Sequence, residues 1–270
     1  MKKINFVALL LILLSLTSCG VINREYNNSI NNKVVSVEEY TIDEFQDAIV
    51  IATEKAEQSC ISIVDAGYIG TSLGSAVVVK RVCYNGTQIV DDITKANKFE
   101  YYAITNRHVV EGSNRNVSVY LKENLADDKY VQSNVEVLVK SSKEDLALIK
   151  FSSSILIEPC SINRSLNLKK GQIVLAIGSP HSLEYYNTVT MGIISHPNRL
   201  VMEDTVKVNY IQHDAAINPG NSGGGLFDIH GNLIGLNTAR IEDHSDYIYG
   251  ISLSIPINDI INALGEEYFE

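Results

Sequence analysis

Three residues of this 270-residue chain have both the type and the setting for nucleophilic chemistry: Ser222, His108 and Asp145. Ser222 stands in Asn218-Pro219-Gly220-Asn221-Ser222-Gly223-Gly224-Gly225. Glycines on both sides let the backbone turn tightly enough to present the hydroxyl. They also let the amides of Gly220 and Ser222, with Asn221 between them, face a developing oxyanion. A serine hydroxyl is a poor nucleophile near neutral pH and needs a base, and imidazole has the matching pKa. His108 follows the apolar run that ends at Ile104-Thr105-Asn106-Arg107. Asp145 directly precedes Leu146-Ala147-Leu148-Ile149, a position from which a carboxylate can sink toward the interior, hold the histidine tautomer and stabilise the imidazolium. Taken singly the signals are weak. A glycine-rich turn is otherwise a hairpin loop, a lone His a surface or core residue, and a lone Asp a strand-edge turn. Together they make an acyl-transfer constellation. His181, His196, His213, His230 and His244 fall in loops or at loop edges without such a context.

The elements that must position these groups are short. After Cys60 the chain breaks into runs rich in Val, Ile and Tyr, separated by Gly, Asn, Asp and Ser, the pattern of an antiparallel β protein. One set covers 60–64, 73–82, 100–105, 116–121, 135–140 and 146–151. A polar stretch, 152–170, divides it from a second set over 172–177, 188–195, 207–212, 223–228, 233–239 and 248–254. The expectation is an all-β fold of two six-stranded antiparallel β-barrels, about 60–151 and 172–254, with His108 and Asp145 in the first and Ser222 in the second. An N-terminal helix is predicted over Ile42–Glu57, from the Thr41/Glu44 capping box and the spacing of Ile42, Phe45, Ile49, Ala52 and Ala56. A C-terminal helix is predicted after Pro256, with Ile257, Ile260, Ile261 and Leu264 on one face and Gly265 at its end.

The net charge of -10 and pI near 5.1 are the opposite of a nucleic-acid footprint, so no nucleic-acid partner is expected. Lys2 and Lys3 precede an apolar run from Phe6 to Leu14, too short to span a bilayer and patterned as a signal peptide. It ends in Leu16-Thr17-Ser18-Cys19, which resembles the bacterial lipobox. The expectation is therefore a signal over 1–18 and lipidation at Cys19, which would tether the chain to a membrane on its extracytoplasmic face. An Asn-rich, apolar-poor tether follows over 19–40, and the folded domain occupies 41–270. The remaining Cys60, Cys83 and Cys160 show no C-x-x-C spacing and no neighbouring His, so no metal site and no cofactor is read. Pairing of Cys60 with Cys83 and burial as free thiols both stay open.

The order His, Asp, Ser is that of the chymotrypsin fold. Thr105-Asn106-Arg107-His108-Val109-Val110, Asp145-Leu146-Ala147-Leu148-Ile149 and Gly220-Asn221-Ser222-Gly223-Gly224 resemble the HtrA/Deg family of trypsin-like serine proteases. So do the segments 171–180, 212–218 and 233–238, and the match runs from about Leu73 to Leu264. The resemblance implies a serine endopeptidase, often trimeric, that cuts unfolded proteins as extracytoplasmic quality control. It implies substrate added as a strand beside Leu236, Asn237, Thr238 and Ala239, and Ala216 at the base of the S1 pocket. Two departures stand out. The chain stops at Glu270 where the family often continues into PDZ domains, and Gly225 replaces a frequent Pro or Ala. The rival reading is a catalytically silent surface lipoprotein that keeps the protease fold as a binding module. Such a protein would be expected to have lost His108, Asp145 or Ser222.

Overall fold

Alternating apolar residues along a strand bury two faces at once when the strand belongs to a barrel that packs against a neighbour. In the computed structural model, which describes residues 41–67, 70–111, 117–122, 129–164, 167–203, 205–243 and 246–269, the strand containing Ala76 to Val79 does this. Ala76 and Val78 enter one core with Ile61, Tyr101, Ala103 and Ile149, while Val77 and Val79 enter another with Ile104, Leu148, Ile177 and Ile255. The segment before residue 41, with Cys19, and also His244 lie outside the described residues.

The first sheet contains β1 (Cys60–Gly67), β2 (Gly70–Asn85), β3 (Gln88–Ile89), β4 (Lys98–Thr105), β5 (Val117–Lys122), β6 (Tyr130–Asn134), β7 (Glu136–Lys140) and β8 (Ala147–Ser153). Its order is β6-β5-β1-β2-β4-β8-β7, with β3 appended to β2. Only Val135 separates β6, which pairs with β5, from β7, which pairs with β8. The two are one bent strand that closes a ring of six. The expected strand at 135–140 is thus the second half of a longer one, whose first half, Tyr-Val-Gln-Ser-Asn, is too polar and exposed to announce itself.

The second sheet contains β9 (Ser161–Ile162), β10 (Ile173–Gly178), β11 (Thr188–Glu203), β12 (Val206–His213), β13 (Gly225–Phe227), β14 (Asn232–Asp243) and β15 (Asp246–Pro256). Pairing of β13 with both β10 and β14 closes a six-stranded barrel, and β9 adds to it in parallel. The β11–β12 hairpin is longer than the sequence pattern predicts. Its strand continues through His196-Pro197 by register shifts between Ile194 and His196 and between His196 and Arg199, the kind of irregularity that accommodates a proline in a sheet.

Helix α1 (Ile42–Glu57) sets Ala52 and Ala56 into the core between the barrels. Lys55 reaches from it to the Asn232 side chain at 2.8 Å and the His230 carbonyl at 3.1 Å. Helix α2 (Ile257–Leu264) buries Ile257, Ile260, Ile261 and Leu264 in the same core, each burial worth about 1.5–3 kcal/mol. No helix among the described residues is long and apolar enough to cross a membrane. Cys60, Cys83 and Cys160 are free thiols. Cys60 pairs with Val77 on β2, six residues from Cys83 along the same strand, or about 20 Å at ~3.3 Å per residue, far beyond disulfide reach.

Gly225 has a structural explanation. A Cβ there would stand 2.3 Å from Phe227 Cε2 and 2.4 Å from Cζ, so the wholly buried Phe227 ring occupies the space that a Pro or Ala side chain would need.

Candidate active site

His108 is placed by a single 3-10 turn (Arg107–Val109) directly after β4. Val109 and Val110 anchor the turn in the core of the first barrel. The buried Asn106 before it donates its amide to the Asp145 carbonyl at 2.8 Å, and Arg107 donates to the Ser141 carbonyl at 2.9 Å. These bonds tie the histidine turn to the loop that carries Asp145, whose far end is fixed by the fully buried Leu146.

Asp145 receives three donors. The His108 main-chain N–H reaches Oδ1 at 3.0 Å, while His108 Nδ1 at 2.6 Å and the Thr238 hydroxyl at 3.0 Å reach Oδ2. Burial raises the carboxyl pKa, but the hydrogen bonds and charge of His108, followed by the Thr238 hydroxyl, outweigh it and hold Asp145 below the usual carboxylate value. The carboxylate side chain is 22% exposed and the imidazole 51%, so the ring opens to solvent while its carboxylate partner is sheltered.

The second barrel supplies Ser222. Its hydroxyl donates to the Thr238 carbonyl at 3.2 Å. The turn around it is held by a set of hydrogen bonds. His181 N–H donates to the Pro219 carbonyl at 2.8 Å, Asn221 N–H to Asn218 at 2.9 Å, Gly224 N–H to Asn221 at 2.9 Å and Gly223 N–H to Asn237 at 2.8 Å. Gly220, at φ +102, and Gly223, at φ +84, need the left-handed region, and a Cβ on either would strike backbone oxygen at 2.4 Å and 2.1 Å. Between Pro219 and Gly224 the described hydrogen bonds leave only the N–H groups of Gly220 and Ser222 unspent. The expectation for Asn221 is corrected here: its main-chain N–H is engaged by the Asn218 carbonyl and the residue is buried, so that N–H is not offered to an oxyanion.

Leu236 and Asn237 are also corrected. Both are fully buried, and β14 is flanked there on both sides, by Gly225 and Ile255 at Leu236 and by Ser254 and the Gly223–Gly224 backbone at Asn237. No edge is free to take a substrate strand. Asn237 instead clamps the nucleophile turn, also donating its side-chain amide to the Gly225 carbonyl at 2.9 Å. Past it, among the described residues, β14 pairs only with β15. Ala216 is exposed between the buried Ala215 and Ile217, and its carbonyl accepts the Thr190 hydroxyl at 2.9 Å.

Two residues take roles that the sequence does not announce. Thr238 serves Asp145 through its hydroxyl and Ser222 through its carbonyl. His213, expected in a loop edge, is fully buried at the end of β12. Its Nε2 lies 2.9 Å from Ser254 Oγ, which in turn donates to Asn237 at 2.9 Å. Burial lowers its pKa to about 4, so at neutral pH it is an uncharged prop beneath the turn.

Residues 85–236, more than half of the chain and including Ser222, His108 and Asp145, match the trypsin-like peptidase domain. The serine protease Do-like HtrA of Lactobacillus helveticus is 39% identical over 168 residues, covering 61% of this chain and 39% of that protein. The HtrA of Lactococcus lactis subsp. lactis is 32% identical over 245 residues, covering 88% of this chain and 54% of that one. A solved HtrA-type protease, AlgW with a tripeptide, superposes with a TM-score of 0.62 at 31% identity, covering 79% of this chain and 61% of that one. The chain therefore spans between 39% and 54% of the length of these two relatives.

Proposed function

This chain belongs to the trypsin-like peptidase family, as an HtrA-like member, and from that premise we propose that it is a serine endopeptidase working through Ser222, His108 and Asp145. The observation that carries the reading is the carboxylate of Asp145 on His108 Nδ1 at 2.6 Å. That bond leaves Nε2 as the nitrogen free to accept a proton, on a ring that is 51% exposed. His108 takes the Ser222 proton as the oxygen attacks the scissile carbonyl. The amides of Gly220 and Ser222 receive the oxyanion, and the imidazolium returns the proton to the leaving amine. Water then attacks the acyl-enzyme with His108 again as base. The substrate adds as a strand along the edge of 238–240 rather than at Leu236 and Asn237.

Ala216 forms the floor of the S1 pocket in this reading. It offers no carboxylate to offset the desolvation of a buried cation, so small aliphatic residues are preferred at P1, with modest discrimination of about 1–3 kcal/mol per methylene. An unfolded protein, whose extended segments are free to pair with an edge strand, is the expected substrate class, and extracytoplasmic quality control the expected role. Digestion of casein followed by peptide sequencing tests both activity and pocket. Val, Ala, Ile and Thr should dominate P1. Absence of cleavage would remove the enzyme, and dominance of Lys or Arg would remove Ala216 from the floor.

The tether reading rests on Leu16-Thr17-Ser18-Cys19. Mass spectrometry of the mature N-terminus should find a diacylglyceryl-modified Cys19, and Cys19→Ala should abolish partition into detergent. An unmodified start at another residue would end the lipoprotein reading.

A further inference from the structure

We infer that Ser75, a first-barrel residue outside the triad, is a positioning residue that sets the oxyanion-binding geometry of the Gly220–Ser222 turn. The inference rests on the serine-protease reading above. Ser75 lies on β2, wholly buried, and is 145 residues away in sequence from the glycine it holds.

Four hydrogen bonds converge on it. Its hydroxyl donates to the Gly220 carbonyl at 2.7 Å and accepts the Ser179 N–H at 2.9 Å. Its own N–H donates to the Ser222 carbonyl at 2.8 Å, and its carbonyl accepts the Thr105 hydroxyl at 2.7 Å. A hydroxyl that accepts from one fixed N–H has its donor direction fixed as well, so the proton of Ser75 Oγ is aimed at Gly220.

The consequence follows plane by plane. In a trans peptide the C=O and the next N–H point in opposite directions. His181 holds the Pro219 carbonyl, so the Gly220 N–H is turned the other way, and Gly224 N–H does the same for the amide of Ser222 through the Asn221 carbonyl. Ser75 holds the two remaining carbonyls, those of Gly220 and Ser222. Every peptide from Pro219 to Gly223 is thereby held, including the two whose N–H groups are unspent. The plane at most risk is the one after Gly220, whose φ of +102 and missing Cβ leave it the freest to swing. Its N–H end is held by the Asn218 carbonyl at 2.9 Å, and among the described residues the one hydrogen bond on its carbonyl end comes from the Ser75 hydroxyl.

Removing that hydroxyl should cost transition-state binding and leave ground-state binding alone, because the amides engage an oxyanion that the substrate does not yet carry. Outright loss of an oxyanion donor lowers kcat by about 10²–10³. Loosening the turn should cost somewhat less, about 10- to 100-fold.

The test compares Ser75→Ala with Ser62→Ala in the full chain. Ser62 is equally buried and reaches the same neighbour, donating to Ser179 Oγ at 2.6 Å where Ser75 accepts the Ser179 N–H, but among the described hydrogen bonds it makes none to the Ser222 turn. Ser75→Ala should lower kcat on a peptide substrate about 10- to 100-fold with KM within about twofold. It should weaken a peptide boronate, whose tetrahedral adduct uses the same amides, in proportion to the loss in kcat/KM. Ser62→Ala should lose thermal stability comparably and keep its kcat. Equal kcat in wild type and Ser75→Ala, or an equal kcat loss in both variants, would overturn the assignment. Should Ser75→Ala fail to fold, Ser75→Cys, which keeps a weaker donor and acceptor, should show an intermediate kcat, and wild-type kcat there would overturn it as well. Fluorophosphonate labelling of the wild type at Ser222 separates the premises: no labelling sinks the protease reading, whereas labelling with Ser75→Ala unimpaired sinks only this one.

Discussion

Replacing Ser222 by alanine should lower peptide hydrolysis by about 10⁴–10⁶-fold, the scale on which removing the nucleophile of a serine protease triad acts. The residual rate should come from the Gly220 and Ser222 amides and from substrate binding. The Ser222 main-chain N–H survives the change, and the Ser222 carbonyl keeps its bond from Ser75, so the oxyanion site stays formed. The fold should change little. The lost hydroxyl donated only to the Thr238 carbonyl at 3.2 Å, a net contribution of about 1 kcal/mol, equivalent to a shift in Tm of roughly 2–4 °C for a domain of this size. Casein cleavage and calorimetry on the same preparation check the two halves. Undiminished cleavage would remove Ser222 from the mechanism. A collapsed Tm would show that the hydroxyl supports structure rather than chemistry.

The sequence carries some parts of this site openly and hides others. Ser222 is legible because Gly220 and Gly223 must adopt positive φ on either side of it, a demand that leaves a compositional trace. His108 and Asp145 are legible because each abuts an apolar strand, β4 and β8. Thr238 and Ser75 are not, since their bonds to Asp145 and Gly220 span 93 and 145 residues of chain and exist only once the barrels pack. Asn237 misleads for a related reason. The resemblance implies a substrate strand beside it, whereas its polarity is used inward, on Ser254 and the Gly223–Gly225 backbone.

The fold divides along the same line. The six strands of each barrel are visible wherever both faces are apolar, as in Ile173–Gly178, where the last five residues are buried. They fade where one face meets solvent, as in Tyr130–Asn134, where no residue is buried. The β11–β12 hairpin outruns its apolar core, and its outer end, reaching Glu203, is set by backbone pairing rather than by side-chain burial. Pairing has no periodic signature in a polar segment, so the ends of these strands could be learned only from the structure.

The second large effect is expected from Asp145→Asn, and it follows from counting donors. The carboxylate accepts from His108 N–H on one oxygen and from His108 Nδ1 and the Thr238 hydroxyl on the other. An amide of the same shape has one acceptor and one donor group. With its NH₂ toward the His108 main chain, two donors face each other. With its NH₂ toward Nδ1, the ring must present a lone pair there and carry its proton on Nε2, where it can no longer accept from Ser222. The second arrangement costs the fold less, since the Thr238 hydroxyl can turn away and the ring can change tautomer, and so it should prevail. The variant should therefore fold with its geometry kept and lose kcat by about 10⁴, the cost of the wrong tautomer in such a triad. Some stability should go too. The folded carboxyl sits below its ordinary pKa, so its charged form stabilises the native state above the unfolded carboxylate pKa, a contribution lost as pH falls through the folded value and absent from the variant at any pH. Nitrogen-15 NMR of the imidazole reads the tautomer directly. The proton should reside on Nδ1 in the wild type and on Nε2 in Asp145→Asn, and an unchanged tautomer with kcat within tenfold of wild type would mean that Asp145 does not orient the base.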